Sequence, residues 1–300
     1  SGRLPLLYKR GYKNPIYATK PTVDLCEIML QDSAKIQESD VEWENRKRKR
    51  AGKSMVEPLY SIEDAQNVMR YFQGCYYDDI MKINDNVSVR FRDAGHILGS
   101  ACLEVWIKED EKTTKIAFSG DLGMPNKPIL KDPEFINSAD YVIVESTYGN
   151  REHPKYEYSV QKLIEIIDKV TNRGGTVIIP SFAVGRTQEI IYDLNSHYDS
   201  AENIEYHNRV PIYIDSPLAV RATEAFMKNS YFFDDMARDL IKSGDNIFEF
   251  ENLKYVSNVE ESITLNKVKF PRVIISSSGM ATAGRVRHPL KHNLWDEKNA

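Results

Sequence analysis

Only three cysteines, Cys26, Cys75 and Cys102, occur in 300 residues, and no two of them form a C-x-x-C pair. That scarcity argues against a disulfide framework and a thiolate zinc site, and leaves the thiols as small core residues. No apolar run approaches the roughly 18 residues that a membrane-spanning helix needs, and no signal-type apolar stretch follows the first residues. No membrane partner is expected, and the default compartment is the cytoplasm, or the nucleus in a cell that has one. Basic excess is also missing: 40 lysines and arginines face 44 acidic residues, for a formal net charge of −4. A nucleic acid would have to be held by a local groove, because there is no global positive field to attract it. The opening SGRLPLLYKRGY has no initiator methionine and reads as the interior of something longer.

What is present is ordinary for a folded protein. Hydrophobic residues make up 41% and charged residues 28% of the chain, and the length suits about two domains. Residues 21–37 place Val23, Cys26, Met29 and Leu30 on one face behind a capping threonine, which predicts a helix. Ser61 and Asp64 have the spacing of a capping box before a second helix carrying Ala65, Val68, Met69 and Phe72. Between them RKRKR, 46–50, reads as a solvated loop, with a phosphate-contacting loop or a nuclear localisation signal as alternatives.

The period then changes. NVSVRF (86–91), ACLEVWI (101–107) and KIAFSG (115–120) have the pattern of strands, and YVIVEST (141–147) reads as a fourth, buried strand. After Gly149, helices are expected at 159–172, 186–196, 217–229 and 233–242. They alternate with strands at 176–180, 210–215 and 272–277, a texture that predicts a mainly parallel sheet. The boundary falls near 148–150, giving domains 1–149 and 150–300.

Three ionisable groups fall at or just past consecutive strand ends, where sheet-based enzymes gather functional side chains. His96 sits in a turn between Gly95 and Gly99, Asp121 lies between Gly120 and Gly123, and Glu145 ends the apolar run that begins at Tyr141. Each has a plain alternative: a packed histidine, a turn or helix-capping aspartate, a glutamate paired with a lysine. Imidazole nitrogen with carboxylate oxygen is also the donor set of a two-metal hydrolase. His96 and Asp121 would be part of such a site, too few to be all of it.

RDAGHILGSA, FSGDLG, VIVESTYGNREH, PSFAVGRTQEIIYDL, IDSPLA and SSSGMATAGRVRHPLKH stand in one order along nearly the whole chain. In that order the sequence resembles the β-CASP nucleases of the metallo-β-lactamase superfamily. It is most similar to the branch holding the endonuclease subunit of the cleavage and polyadenylation machinery and its bacterial and archaeal relatives. The resemblance implies an α/β fold, a partial metallo-β-lactamase αββα sandwich followed by a β-CASP α/β domain. It implies that His96 is a ligand of one zinc, that Asp121 bridges two zincs, and that Glu145 hydrogen-bonds and orients a ligand histidine. The implied function is two-metal hydrolysis of phosphodiester bonds in single-stranded RNA, within a homodimer or a processing complex if either forms.

IISSSGMATAGRVRHPLKH is a strand, a Ser/Gly-rich turn and a helix, whose free amides suit a phosphate. An ordinary strand-to-helix turn is the plain alternative. By resemblance Ser278, Gly279, Met280 and Thr282 line the groove for the nucleic-acid backbone, together with Ser181. Arg186 could fork onto a phosphate and Arg285 could add local charge, or either could make an internal salt bridge. His288 and His292 share one helical face and read as groove or structural residues, since Pro289 stands where relatives show a second histidine. The family's H-x-H-x-D-H motif would stand immediately before Ser1 and its last two histidines beyond Ala300. The resemblance therefore implies a central portion that carries two ligands and retains zinc weakly. The other readings are an Artemis-type DNA nuclease, a metal-less paralogue that binds RNA without cleaving it, and a small-molecule hydrolase.

Overall fold

The computed structural model describes residues 2–152, 154–198 and 210–300. It comprises two compact units. The first takes in Ser1–Asp93, Gly99–Phe118 and Phe135–Val142; the second takes in Ala94–Leu98, Ser119–Glu134 and Ile143–Ala300.

In the first unit α1 (Leu4–Lys9) and β1 (Ile16–Thr19) lead into α2 (Lys20–Arg50), followed by α3 (Ile62–Val68) and β2 (Phe72–Cys75). Thr19 caps α2 by accepting a hydrogen bond from Thr22 N–H. Both threonine hydroxyls also donate to the carbonyl of Gly99, at 2.7 and 2.8 Å. Gly99 has φ +82°, and a Cβ there would lie 2.7 Å from Thr22 N, so only glycine fits this approach. Ser61 and Asp64 form the expected capping box. Leu30, Ala34, Tyr60, Ala65 and Val68 make the core beneath α2 and α3.

Helix α2 runs well past the expected 37 and absorbs RKRKR, which is therefore not a loop. Lysine and arginine are good helix formers and favour the C-terminal turn, where they meet the negative end of the helix dipole. Glu42 and Glu44 support Arg46 and Arg48 from one turn back.

A five-stranded sheet follows in the order β3-β4-β5-β6-β7, formed by Met81–Lys82, Val87–Asp93, Ala101–Glu109, Lys112–Phe118 and Tyr141–Ile143. The pairs from β3 to β6 are antiparallel. Strand β7 is not buried as its apolar run suggested: Tyr141, Val142, Ile143 and Val144 are 55–66% exposed. It is the edge strand and only three residues long, with no strand paired on its outer side among the described residues.

The second unit is α/β. Helix α4 (Tyr156–Asn172), β8 (Thr176–Pro180), α5 (Arg186–Tyr198), β9 (Ile212–Asp215), α6 (Pro217–Lys228), α7 (Asp235–Lys242), β10 (Leu253–Tyr255), α8 (Val259–Leu265), β11 (Arg272–Ser276) and α9 (Arg287–Asn293) follow in turn. The sheet order is β10-β9-β11-β8, and every pair is parallel. Strand β11 is buried along its whole length, as a central parallel strand flanked by helices should be. Parallel pairing brings the C-terminal ends of β8, β9 and β11 to one edge, the usual ligand side of an open α/β sheet.

Candidate functional site

Three loops of the second unit carry the residues singled out at strand ends. Loop 94–98 holds His96 and loop 119–124 holds Asp121, and they are laced together: Gly123 N–H donates to Ala94 O at 2.8 Å. The contact is so close that a Cβ on Gly123 would lie 1.8 Å from Gly95 O and 2.7 Å from His96 N. Glu145 joins them from the third strand end. Its carboxylate accepts the backbone N–H of Leu122, the residue after Asp121, and its own N–H donates to Ser119 Oγ at 3.0 Å. His96 is half-buried and Asp121 is exposed.

The same unit places the second set of residues against the first. Ile97, next to His96, packs on Gly185, where a Cβ would come within 2.9 Å of its methyl carbon. Gly185 immediately precedes Arg186, the first residue of α5. Arg186 pairs with Glu189 at 2.8 Å and keeps half of its side chain exposed. Glu189, itself buried, also takes Lys127 at 3.0 Å.

Ser181 is buried: its N–H donates to Ser276 O at 2.9 Å and its hydroxyl accepts from Thr187 at 3.0 Å. It ties β8 to β11. Beyond β11 the chain closes a tight turn. Ser278 N–H and hydroxyl both donate to Ala283 O, and Ala281 N–H donates to Ser278 O. The N–H groups of Gly279, Met280 and Thr282 have no partner among the described residues. Met280 and Thr282 are exposed, and Gly279 lies against the exposed Phe182. His288 and His292 are exposed on α9.

Arg285 faces inward. Its guanidinium donates to Asp215 Oδ1 at 2.9 Å, Val256 O at 3.3 Å and Ser257 O at 3.0 Å. Asp215, fully buried, takes a second hydrogen bond from Ser262 at 2.8 Å. Sequence reasoning passed over Asp215, although it ends an apolar strand just as Asp121 follows one. It also passed over Gln188, whose buried amide accepts from Gly185 N–H and donates to Ala183 O, Ala219 O and Thr223, fixing the β8–α5 turn to α6.

His96 and Asp121 offer imidazole nitrogen and carboxylate oxygen, the right kinds of donor for zinc. In number they fall short: among the described residues no three His, Cys, Asp or Glu side chains gather in a way that could hold a metal ion. No helix among them is long and apolar enough to cross a membrane.

Residues 187–300 match the model of the Beta-Casp domain. The chain is 36% identical over 299 residues to "Ribonuclease TTHA0252" of Thermus thermophilus, covering 100% of this chain and 63% of that protein. It is 29% identical over 303 residues to "Transcription termination factor FttA" of Methanocaldococcus jannaschii, covering 100% of this chain and 44% of that protein. With "Endoribonuclease YSH1" of Kluyveromyces lactis it shares 29% identity over 300 residues, 99% of this chain and 37% of that protein. The chain thus spans less than two thirds of the length of these relatives.

Proposed function

Because the chain belongs to the β-CASP family of the metallo-β-lactamase superfamily, we propose that it serves a nuclease that hydrolyses phosphodiester bonds in single-stranded RNA. The observation that carries the reading is continuity. The loops of His96, Asp121 and Glu145 are bonded to one another, and Ile97 seats them on the turn that presents Arg186. Two of the relatives are named as ribonucleases, which favours RNA as the substrate.

Within this reading the metal would be zinc, two ions in the complete protein, and His96 and Asp121 would each offer a donor to it. The other ligands would come from residues beyond these two. When bound, such a metal would supply Lewis acidity and charge neutralisation at the phosphoryl oxygens. The chain's own residues do the rest. Glu145 is a positioning residue, holding the Leu122 amide and so fixing how Asp121 leaves its strand. The N–H groups of Gly279, Met280 and Thr282, without a partner among the described residues, would be the donors that meet a phosphate at this turn. Arg186 adds a half-exposed guanidinium able to fork onto a neighbouring phosphate. Ser181 and Arg285 act beneath that surface: one ties β8 to β11, and the other pins the turn to Asp215. The proposed setting is RNA processing in the cytoplasm, or in the nucleus where there is one.

The test is cleavage of end-labelled single-stranded RNA and DNA of one sequence by the intact protein with zinc. RNA should be cut at least ten times faster. Preferential cutting of DNA would move the assignment to a DNA-processing enzyme, and cutting of neither would refute the nuclease.

A further inference from the structure

The second half of α2 has no role in that site. After Ala34 no side chain of the helix is fully buried: Glu38 still accepts the N–H of Ile62 at 2.9 Å, and beyond it the 12 residues from Ser39 to Arg50, about 18 Å of helix, run on with only half-buried or exposed side chains. Their geometry is nevertheless held. Asn45 exchanges two hydrogen bonds of 2.9 Å with the backbone of Val56, and Arg48 donates to Ser54 O at 2.7 Å. The returning segment 54–56 is thereby stapled along one side of the helix.

At about 100° per residue, Asn45 and Arg48 mark one face, and Trp43, Arg46, Lys47 and Arg50 stand on the opposite one. All four are exposed. Trp43 is 59% exposed, with the Lys47 ammonium 3.1 Å from its ring centre. Between 42 and 53 there are six basic side chains and two carboxylates, in a chain whose net charge is −4. Those carboxylates are answered by Arg46 and Arg48, while Lys49, Arg50 and Lys53 make no ion pair among the described residues.

The helix dipole accounts for one or two cations in the last turn. It gives no reason for five in succession, Arg46 to Arg50, or for leaving an indole exposed beside them. Cations flanking an exposed aromatic on a rigid support are what a single-stranded nucleic acid recognises: phosphates pair with the charges and a base stacks on the ring. A membrane surface fits less well, because this face has one aromatic and no apolar stripe to bury.

We propose that the Trp43–Arg50 face of α2 is an RNA-binding surface in its own right. The choice of RNA rests on the function proposed above; the binding itself does not, and it is read without any cleavage. The experiment is fluorescence anisotropy of a labelled uridine 20-mer with the intact protein between 50 and 200 mM salt. Replacing Arg46, Lys47 and Arg50 by glutamine should weaken binding about tenfold or more. It should also lower the slope of log affinity against log salt by about 2, at roughly 0.7 per phosphate contact. Trp43→Ala should weaken binding about five- to tenfold with the salt slope unchanged. Replacing Lys108, Lys112 and Lys254, exposed cations elsewhere, should change affinity less than twofold. Equal losses from both triple sets, or unchanged affinity after the first, would overturn the proposal. Competition by polyglutamate as strong as by unlabelled RNA would overturn it in favour of an acidic protein partner.

Discussion

Glu145 receives the backbone N–H of Leu122, the neighbour of Asp121, so a carboxylate on one strand end sets the exit of another. Removing that acceptor in Glu145→Ala should lower RNA cleavage about 10- to 100-fold, the usual cost of a lost supporting contact around a metal ligand. Glu145→Gln keeps an oxygen in place and should recover most of the rate. If glutamine is as damaging as alanine, the contact to Leu122 is not what matters.

Gly123 offers a steric test of the same arrangement. Its position leaves no room for a methyl group, since a Cβ would sit 1.8 Å from Gly95 O. Gly123→Ala should cost at least about 1–3 kcal/mol and separate the His96 and Asp121 loops. Gly174→Ala is the control: its φ of +80° strains alanine, yet nothing lies within 4 Å of the added carbon. Thermal melts should show the larger loss for Gly123, with cleavage falling only there.

Glu104 is the buried hub of the antiparallel sheet, paired with Arg90 at 2.6 Å and with Lys115. Burial pushes its carboxyl up, but hydrogen bonds and charge from Arg90 and Lys115 together hold it below the usual range. A depressed folded-state value contributes stability above the unfolded pKa, and that stability is lost as pH falls through the folded value. Glu104→Gln leaves two cations without their counter-charge and should cost about 3–5 kcal/mol near neutrality. The penalty should shrink below about pH 4; a penalty independent of pH would rule out the charge as its cause.

Asp193 is the opposite case. Burial outweighs the hydrogen bond that Tyr156 donates at 2.6 Å and pushes its carboxyl up to about 6. A raised carboxyl binds its proton more tightly in the folded state, so its contribution to stability falls as pH rises from about 4 to about 6. Asp193→Asn should raise neutral-pH stability by on the order of 2 kcal/mol and flatten that slope. Denaturant titrations at pH 4 and 7 would check this, and an equal effect at both would contradict it.

Much of this architecture is legible in the chain because local rules agree with the fold. The Ser61–Asp64 box, the β4–β6 alternation and the strand-helix alternation after Tyr156 need only neighbours in sequence. What was not legible depends on distant partners. The extent of α2 depends on Asn45 and Arg48 reaching the returning segment at 54–56, and the exposure of β7 depends on its place at the sheet edge. Strands β1 and β10 and helix α8 are too short to show a period. In the site, the strand-end positions of His96, Asp121 and Glu145 can be read directly. The inward turn of Arg285 cannot, because its acceptor lies 70 residues away at Asp215.

If the strand-end cluster is the reacting centre, cleavage depends on Asp121, whose side chain is exposed and supports no core. Single-turnover cleavage of a labelled single-stranded RNA by the intact protein should fall at least a thousandfold in Asp121→Asn, with an unchanged melting temperature and unchanged RNA affinity. Cleavage within tenfold of the unsubstituted protein would place the reacting centre elsewhere.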